Sequence, residues 1–202
     1  MRAVITESDI PLAGDLKVER GAIITPSARD LARERGVRIF EVTVEQLDSA
    51  PPNKTIAIGS DHGGFQMKEA LKAVFADLRL SLIDVGVSEP VAADYPDIAR
   101  RVTDVMQSGK AARGVIIDGA GIGSAMAANK VPGIRAALCY DKASARNSRE
   151  HNDANVLTLG GRLLTQTQAE EVLRVWLSTP FGGGRHQARI DKITAIEKAY
   201  LK

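Results

Sequence analysis

The chain has 202 residues, 44% hydrophobic and 26% charged, with 27 basic against 25 acidic side chains and a formal charge of +2. That length suits one well-packed α/β domain with an appendage, no apolar run approaches the roughly 20 residues that span a bilayer, and the near-balance of charge gives no global attraction to nucleic acid or membrane. The single cysteine, Cys139, excludes an intramolecular disulfide, and the N-terminus lacks the apolar stretch of a secretory signal, so cytoplasmic residence is expected.

Residues 1–43 stand apart as an N-terminal extension. Within them GAIITPSARDLARERGVRIFEV holds a short apolar run, a helix start at Thr25-Pro26-Ser27, a helix through Arg35, a stop at Gly36 and a strand over 37–42. About forty residues is marginal for independent folding, so this piece is expected to dock on the main domain or on a partner. The paired prolines and small polar residues of 44–53 read as a linker, which leaves 54–202 as the main domain.

The main domain alternates. KTIAI (54–58) is a buried strand running into a polar loop, and the apolar residues of 65–78 recur at helical spacing. The same unit repeats with strands at 80–86, 114–118, 134–140 and in VLTLGG, and with helical segments at 94–109, IGSAMAANK, KASARNSREH, 165–178 and 187–202. Strict alternation implies a five-stranded parallel sheet with helices on both faces, three α/β/α layers in which ligands sit beyond the carboxyl ends of the strands.

Four clusters carry candidate chemistry. Directly after the first strand, Gly59-Ser60-Asp61-His62-Gly63-Gly64 offers backbone approach at the glycines, a phosphate donor in His62 and an acceptor for sugar hydroxyls in Asp61. A helix cap and a surface histidine would explain the same residues. After the third, Asp118-Gly119-Ala120-Gly121-Ile122-Gly123-Ser124 can turn several amides onto a phosphate or an enediolate oxygen; it lacks the full GxGxxG spacing and downstream acid of a dinucleotide site. In Arg149-Glu150-His151-Asn152-Asp153-Ala154-Asn155, just before a strand, a histidine is suited to opening a sugar ring, although turn-forming Asn and Asp alone would explain the run. Finally, Arg185 and Arg189, four apart at a helix start, can clamp a phosphate or simply be surface charge.

Together GSDHGG, DYPD, GIGSAMAANKVPGIRAAL, REHNDANVLTLGGR and FGGGRHQARIDKI resemble, in order and spacing, the ribose-5-phosphate isomerase B and galactose-6-phosphate isomerase family. The resemblance implies an aldose-ketose isomerase of a sugar phosphate, best matched to ribose 5-phosphate and ribulose 5-phosphate, working without metal or cofactor. It further implies a Rossmann-like, three-layer α/β/α domain with a five-stranded parallel sheet, and a homodimer or tetramer with shared active sites. On that pattern Asp61 and His62 bind substrate and Tyr95 walls the pocket. His151 opens the ring, Asn152 holds substrate oxygens, the amides from Gly119 through Ala120, Gly121, Ile122 and Gly123 to Ser124 stabilise the enediolate, and Arg185 and Arg189 grip the phosphate. Three positions depart from the pattern: Asp118 and Ala120 occupy places where many members carry cysteine and threonine or serine, and Ser124 stands where some carry glutamate. Asp118 is therefore read as the base, its basicity raised by desolvation. The alternative is a non-catalytic sugar-phosphate-binding paralogue or one subunit of a heteromeric isomerase. ITESDI and AIITPSARDLARERGVRI are similar to short segments at the start of bacterial microcompartment proteins, which implies a shell or cargo partner for residues 1–43 and a place inside a microcompartment.

Overall fold

The computed structural model describes residues 4–10, 15–19, 21–42 and 55–201; the expected linker at 44–53 lies outside them. The chain divides into two compact units, Met1–Pro52 and Asn53–Lys202.

In the first unit β1 (Val4–Ile5) pairs in parallel with β3 (Ile23–Ile24), and β2 (Asp15–Glu19) with β4 (Arg38–Val42). Helix α1 (Pro26–Glu34) begins as its sequence requires: the Thr25 hydroxyl accepts from the Ala28 amide at 3.3 Å, and Pro26 sits in the first turn, where a missing N–H costs nothing. It ends before Gly36, whose φ of 65° suits glycine. The core is small, built on Ile10, Ala28, Ala32 and Val37. Strands β1 and β2 escape a sequence reading because one is two residues long and the other, DLKVE, is mostly polar.

The second unit runs β5 (Thr55–Ser60), α2 (Phe65–Asp77), β6 (Ser81–Asp84), α3 (Tyr95–Gln107), β7 (Arg113–Asp118), α4 (Ile122–Ala128), β8 (Ala136–Leu138), α5 (Lys142–Glu150), β9 (Val156–Gly160), α6 (Gln166–Ser178) and α7 (Gln187–Tyr200). All five strands are parallel, in the order β6-β5-β7-β9-β8. Side chains alternate across the sheet. Ile56, Ile58, Val115, Ile117, Leu157 and Leu159 face one layer, with Leu71 and Phe75 of α2, Ala145 of α5 and Trp176 of α6. Ala57, Ile116 and Val156 face the other, with Ile98 and Val102 of α3 and Ala128 of α4. The three-layer reading holds.

Strand β8 is shorter than the apolar run 134–140 because side chains cap its start. Asn155 Oδ1 accepts from the Arg135 amide and Asn129 Oδ1 from the Ala136 amide, both at 2.8 Å, so the ladder of this edge strand begins at Ala136, two residues into the run. The strand order also fixes where a ligand fits. From β5 the chain steps outward to β6, then returns past β5 to β7, so the carboxyl ends of β5 and β7 flank the switch point at which open α/β sheets bind ligands.

Candidate active site

Two loops meet at that switch point. In the first, the buried Asp61 carboxylate accepts from the Gly63 amide at 2.8 Å and the Gly64 amide at 3.0 Å, which folds the loop back on itself. The turn is tight against β7: a Cβ on Gly64 would lie 2.1 Å from the Ile117 carbonyl oxygen. His62, exposed beside it, accepts from the Ala93 amide at Nδ1 over 3.4 Å, which leaves Nε2–H to donate outward.

The second loop is organised by Asp118. This carboxylate is only 4% exposed and takes four hydrogen bonds: Oδ1 from the amides of Ala120 (2.7 Å) and Gly121, and Oδ2 from the amide (3.0 Å) and hydroxyl of Ser124. Gly121, at φ 77°, lets the chain turn there. The expectation that all the amides from Gly119 to Ser124 face substrate is corrected by this arrangement. Those of Ala120, Gly121 and Ser124 turn inward onto Asp118, and those of Gly119, Ile122 and Gly123 have no acceptor among the described residues. Desolvation is thus one side of Asp118's environment; the other is that its lone pairs are occupied, and only the Ser124 hydroxyl can rotate away.

Neighbouring side chains brace this loop. The Tyr95 ring lies on Gly123, where a Cβ would come within 2.5 Å of it, and Tyr140 donates from its hydroxyl to the Ala120 carbonyl at 2.9 Å. Arg162 was not anticipated from the sequence. Its amide donates to the Gly119 carbonyl at 3.1 Å, its side chain runs beside Gly119, and it is exposed with no ion pair among the described residues. A cation two residues past the β9 strand end, where ligands gather, was the signal available. Cys139 is buried, and burial pushes its thiol up, away from a thiolate role.

His151, Asn152, Arg185 and Arg189 form a second cluster elsewhere. His151 caps the C-terminus of α5, and the Glu150 carbonyl accepts from the Gly182 amide at 2.8 Å, tying the glycine-rich loop to that helix end. The His151 and His186 rings stack with centroids 4.2 Å apart and planes 8° from parallel. His186 is buried, and burial followed by repulsion from His151, Arg185 and Arg189 holds it below its ordinary 6.5, with Glu150 opposing. Arg185 and Arg189 are exposed without ion pairs among the described residues.

The two clusters lie at opposite ends of the sheet. Helix α5 leaves the carboxyl end of β8 and returns to the amino end of β9, so its last residue, and His151 after it, are a full strand length from the Asp118 loop. Strands of this size span roughly 17–20 Å. A cavity of about 610 Å³ also opens at the amino end, under α7; Asn152 lines it and no residue of the Asp118 loop does. Among the described residues no three His, Cys, Asp or Glu side chains converge as metal ligands do.

The Ribose/Galactose Isomerase family matches this chain over residues 56–193. Ribose-5-phosphate isomerase B of Escherichia coli is 41% identical over 145 residues, 72% of this chain and 97% of that one. Among solved structures, ribose-5-phosphate isomerase B of Clostridium thermocellum is 45% identical with a TM-score of 0.71, covering 73% of this chain and 99% of that one. The Mycoplasma genitalium enzyme with bound ribulose-5-phosphate is 39% identical with a TM-score of 0.68, covering 71% of this chain and 96% of that one.

Proposed function

The chain belongs to the ribose/galactose isomerase family, and from that premise we propose that it interconverts ribose 5-phosphate and ribulose 5-phosphate at sites completed between two copies of the chain. The observation that carries the reading is the Asp118 loop: a buried carboxylate holds three amides inward and leaves those of Gly119, Ile122 and Gly123 without an acceptor among the described residues, a geometry suited to a developing enediolate. The opposed positions of the two clusters support a homodimer. In it the Asp118 end of one chain meets the His151 end of another, an isologous contact that makes two equal sites.

In this mechanism the His151 Nε2–H gives its proton to the ring oxygen as the C1–O bond breaks and recovers one from the anomeric hydroxyl, so the imidazole is neutral again once the open-chain aldehyde has formed. Arg185 and Arg189 hold the phosphate, with His62 and Arg162 adding donors from the facing chain. The Ser124 hydroxyl rotates off Asp118, whose freed oxygen takes the C2 proton. Charge then moves to O1, beside the amides of Gly119, Ile122 and Gly123; the O2 proton passes to O1, and the proton taken from C2 returns to C1 as O2 becomes the ketose carbonyl. Asp61 and Tyr95 shape the pocket, and Asn152 holds sugar oxygens.

A panel of tetrose, pentose and hexose phosphates tests this, with wild type beside Asp118→Asn and His151→Ala. Each variant alone is expected to be inactive on ribose 5-phosphate. Mixed and re-associated, they should regain about a quarter of wild-type activity, since half the dimers then carry one intact site. No recovery in demonstrably mixed dimers would refute shared sites. A second reading, a binding paralogue or one subunit of a heteromeric isomerase, is favoured by the aspartate at 118; it predicts sugar-phosphate binding without turnover.

The first unit falls outside the matched residues, and we propose it as a docking element for a microcompartment shell or cargo, within the cytoplasm. Its separation as a compact unit supports that role. Fused to a fluorescent protein, residues 1–52 should co-localise with a shell; a uniformly diffuse signal in shell-forming cells would refute it.

A further inference from the structure

We propose that Asn147 and His186 act as positioning residues that fix the tautomer and the plane of His151, so that its ring presents Nε2–H as the proton donor. The inference rests on the ring-opening role given to His151 above.

Asn147 precedes His151 by one helical turn, so the two side chains lie on the same face of α5. Its Nδ2 is 2.9 Å from His151 Nδ1. The direction of that bond follows from the other half of the amide, since Asn147 Oδ1 accepts from Asn152 Nδ2 at 3.5 Å, leaving Nδ2 to donate to the ring. A neutral imidazole has one donor and one acceptor nitrogen. With Nδ1 accepting, the proton resides on Nε2. That nitrogen is 3.9 Å from Glu150 Oε1, beyond hydrogen-bond reach, so it is not engaged by its own helix end.

His186 fixes the other degree of freedom. An imidazole held only at Nδ1 can still swing about that bond, and the parallel ring at 4.2 Å confines it to one plane. His186 is itself buried with an Nδ1 that has no partner, which is costly unless the position serves something besides packing. The charged and titratable groups facing the pair are Glu150 from α5 and Arg185 and Arg189 from the glycine-rich loop and α7. Asn147 and His186 both contact the His151 ring, and both act through it.

Asn147 is exposed, so changing it should leave the fold intact. Asn147→Asp keeps the shape but replaces the donor with an acceptor, and therefore should move the His151 proton to Nδ1 and leave Nε2 bare. Two-dimensional ¹⁵N–¹H spectra of the full-length protein near pH 8 read this directly. Wild type is expected to show a protonated Nε2 and a bare Nδ1, with the pattern reversed in Asn147→Asp. Turnover of ribose 5-phosphate near pH 8 should then fall about 100-fold in kcat with KM little changed. His186→Phe keeps a stacking ring and should keep the tautomer and most of the turnover, whereas His186→Ala should lose about tenfold. An Nδ1–H tautomer in wild type, or an unchanged ring pattern in Asn147→Asp, overturns the inference. A wild type inactive on every sugar phosphate would instead sink the isomerase reading, while the spectra still decide the tautomer.

Discussion

Replacing Asp118 by Asn tests the loop geometry and the chemistry together. The carboxylate takes two donors on each oxygen, and an amide offers only one oxygen. With Nδ2 in the Oδ1 place it would face two backbone amides, so the tolerable orientation puts Nδ2 toward Ser124. There the hydroxyl can turn round and accept, but the Ser124 amide, at 3.0 Å, is left facing a donor inside the protein. An orphaned buried donor costs about 1–3 kcal/mol, and hydrogen bonds to a charged acceptor are worth about 1.5–3 kcal/mol, so a net loss of about 2–4 kcal/mol is expected. For a chain of this size that corresponds to a fall in Tm of roughly 4–16 °C. Turnover should fall about 10²–10⁴-fold through loss of the proton-accepting group. Thermal melts and a ribulose 5-phosphate assay read the two effects separately, and Ser124→Ala is the control. It removes one donor, leaves the carboxylate, and should cost about 1 kcal/mol with turnover kept within about tenfold. Asp118→Asn with wild-type melting and wild-type turnover would refute both the loop account and the base assignment.

His151 should matter only for sugars that close a ring. A tetrose 4-phosphate has no free hydroxyl from which to form a furanose, so His151→Ala should lose ribose 5-phosphate turnover by about 10²-fold yet retain any tetrose 4-phosphate turnover of the wild type; equal loss on both would place the histidine in the proton transfer at carbon. Gly64→Ala forces a Cβ onto the Ile117 backbone, which no side-chain motion relieves, and should cost about 3 kcal/mol or more in denaturant unfolding. Lys68, 1% exposed, donates to Asp84 at 2.6 Å and to the Val87 carbonyl at 2.9 Å, so Lys68→Met should cost about 1–3 kcal/mol. Burial raises Asp84, but the bonds from Lys68, Lys72 and the Gly86 amide outweigh it and hold the carboxyl below its ordinary 3.8. A depressed carboxyl contributes stability above that value and loses it as pH falls through the folded one. The acid limb of the stability profile should therefore flatten in Lys68→Met, and an unchanged limb would place the acid sensitivity elsewhere.

What the sequence made legible and what it hid divide along physical lines. Continuous apolar runs in KTIAI, GVIID and VLTLGG marked the strands, because each is buried on both faces, whereas the helices are buried on one. Thr25, Pro26 and Gly36 marked α1 because caps and positive φ act locally. The direction of the amides in the Asp118 loop was hidden, since whether a glycine-rich loop aims its N–H groups outward or onto its own aspartate depends on dihedrals that composition does not state. Arg162 and His186 were hidden for a different reason. Each gains its meaning from a neighbour far along the chain, Gly119 for one and His151 for the other. Asn147 was within reach, four residues before a histidine already singled out.

The placement of His151 was also within reach, and it has a consequence for activity. In a sheet whose strands are all parallel, a cluster following a strand and a cluster preceding one must lie at opposite ends. REHNDAN precedes β9, whereas the Asp61 and Asp118 loops follow β5 and β7. No rotamer change closes a gap of roughly 17–20 Å. If one reaction needs both clusters, the unit of activity is at least two chains, and specific activity must fall on dilution below the dissociation constant of the pair. The fall should track the dimer fraction measured by sedimentation in the same buffer. The Nε2–H tautomer of His151, fixed within one chain by Asn147, should persist through it. Specific activity that stays constant as the protein dissociates to monomer would mean that one cluster alone performs the chemistry, and the assignment of His151 to ring opening would then fall with the shared site.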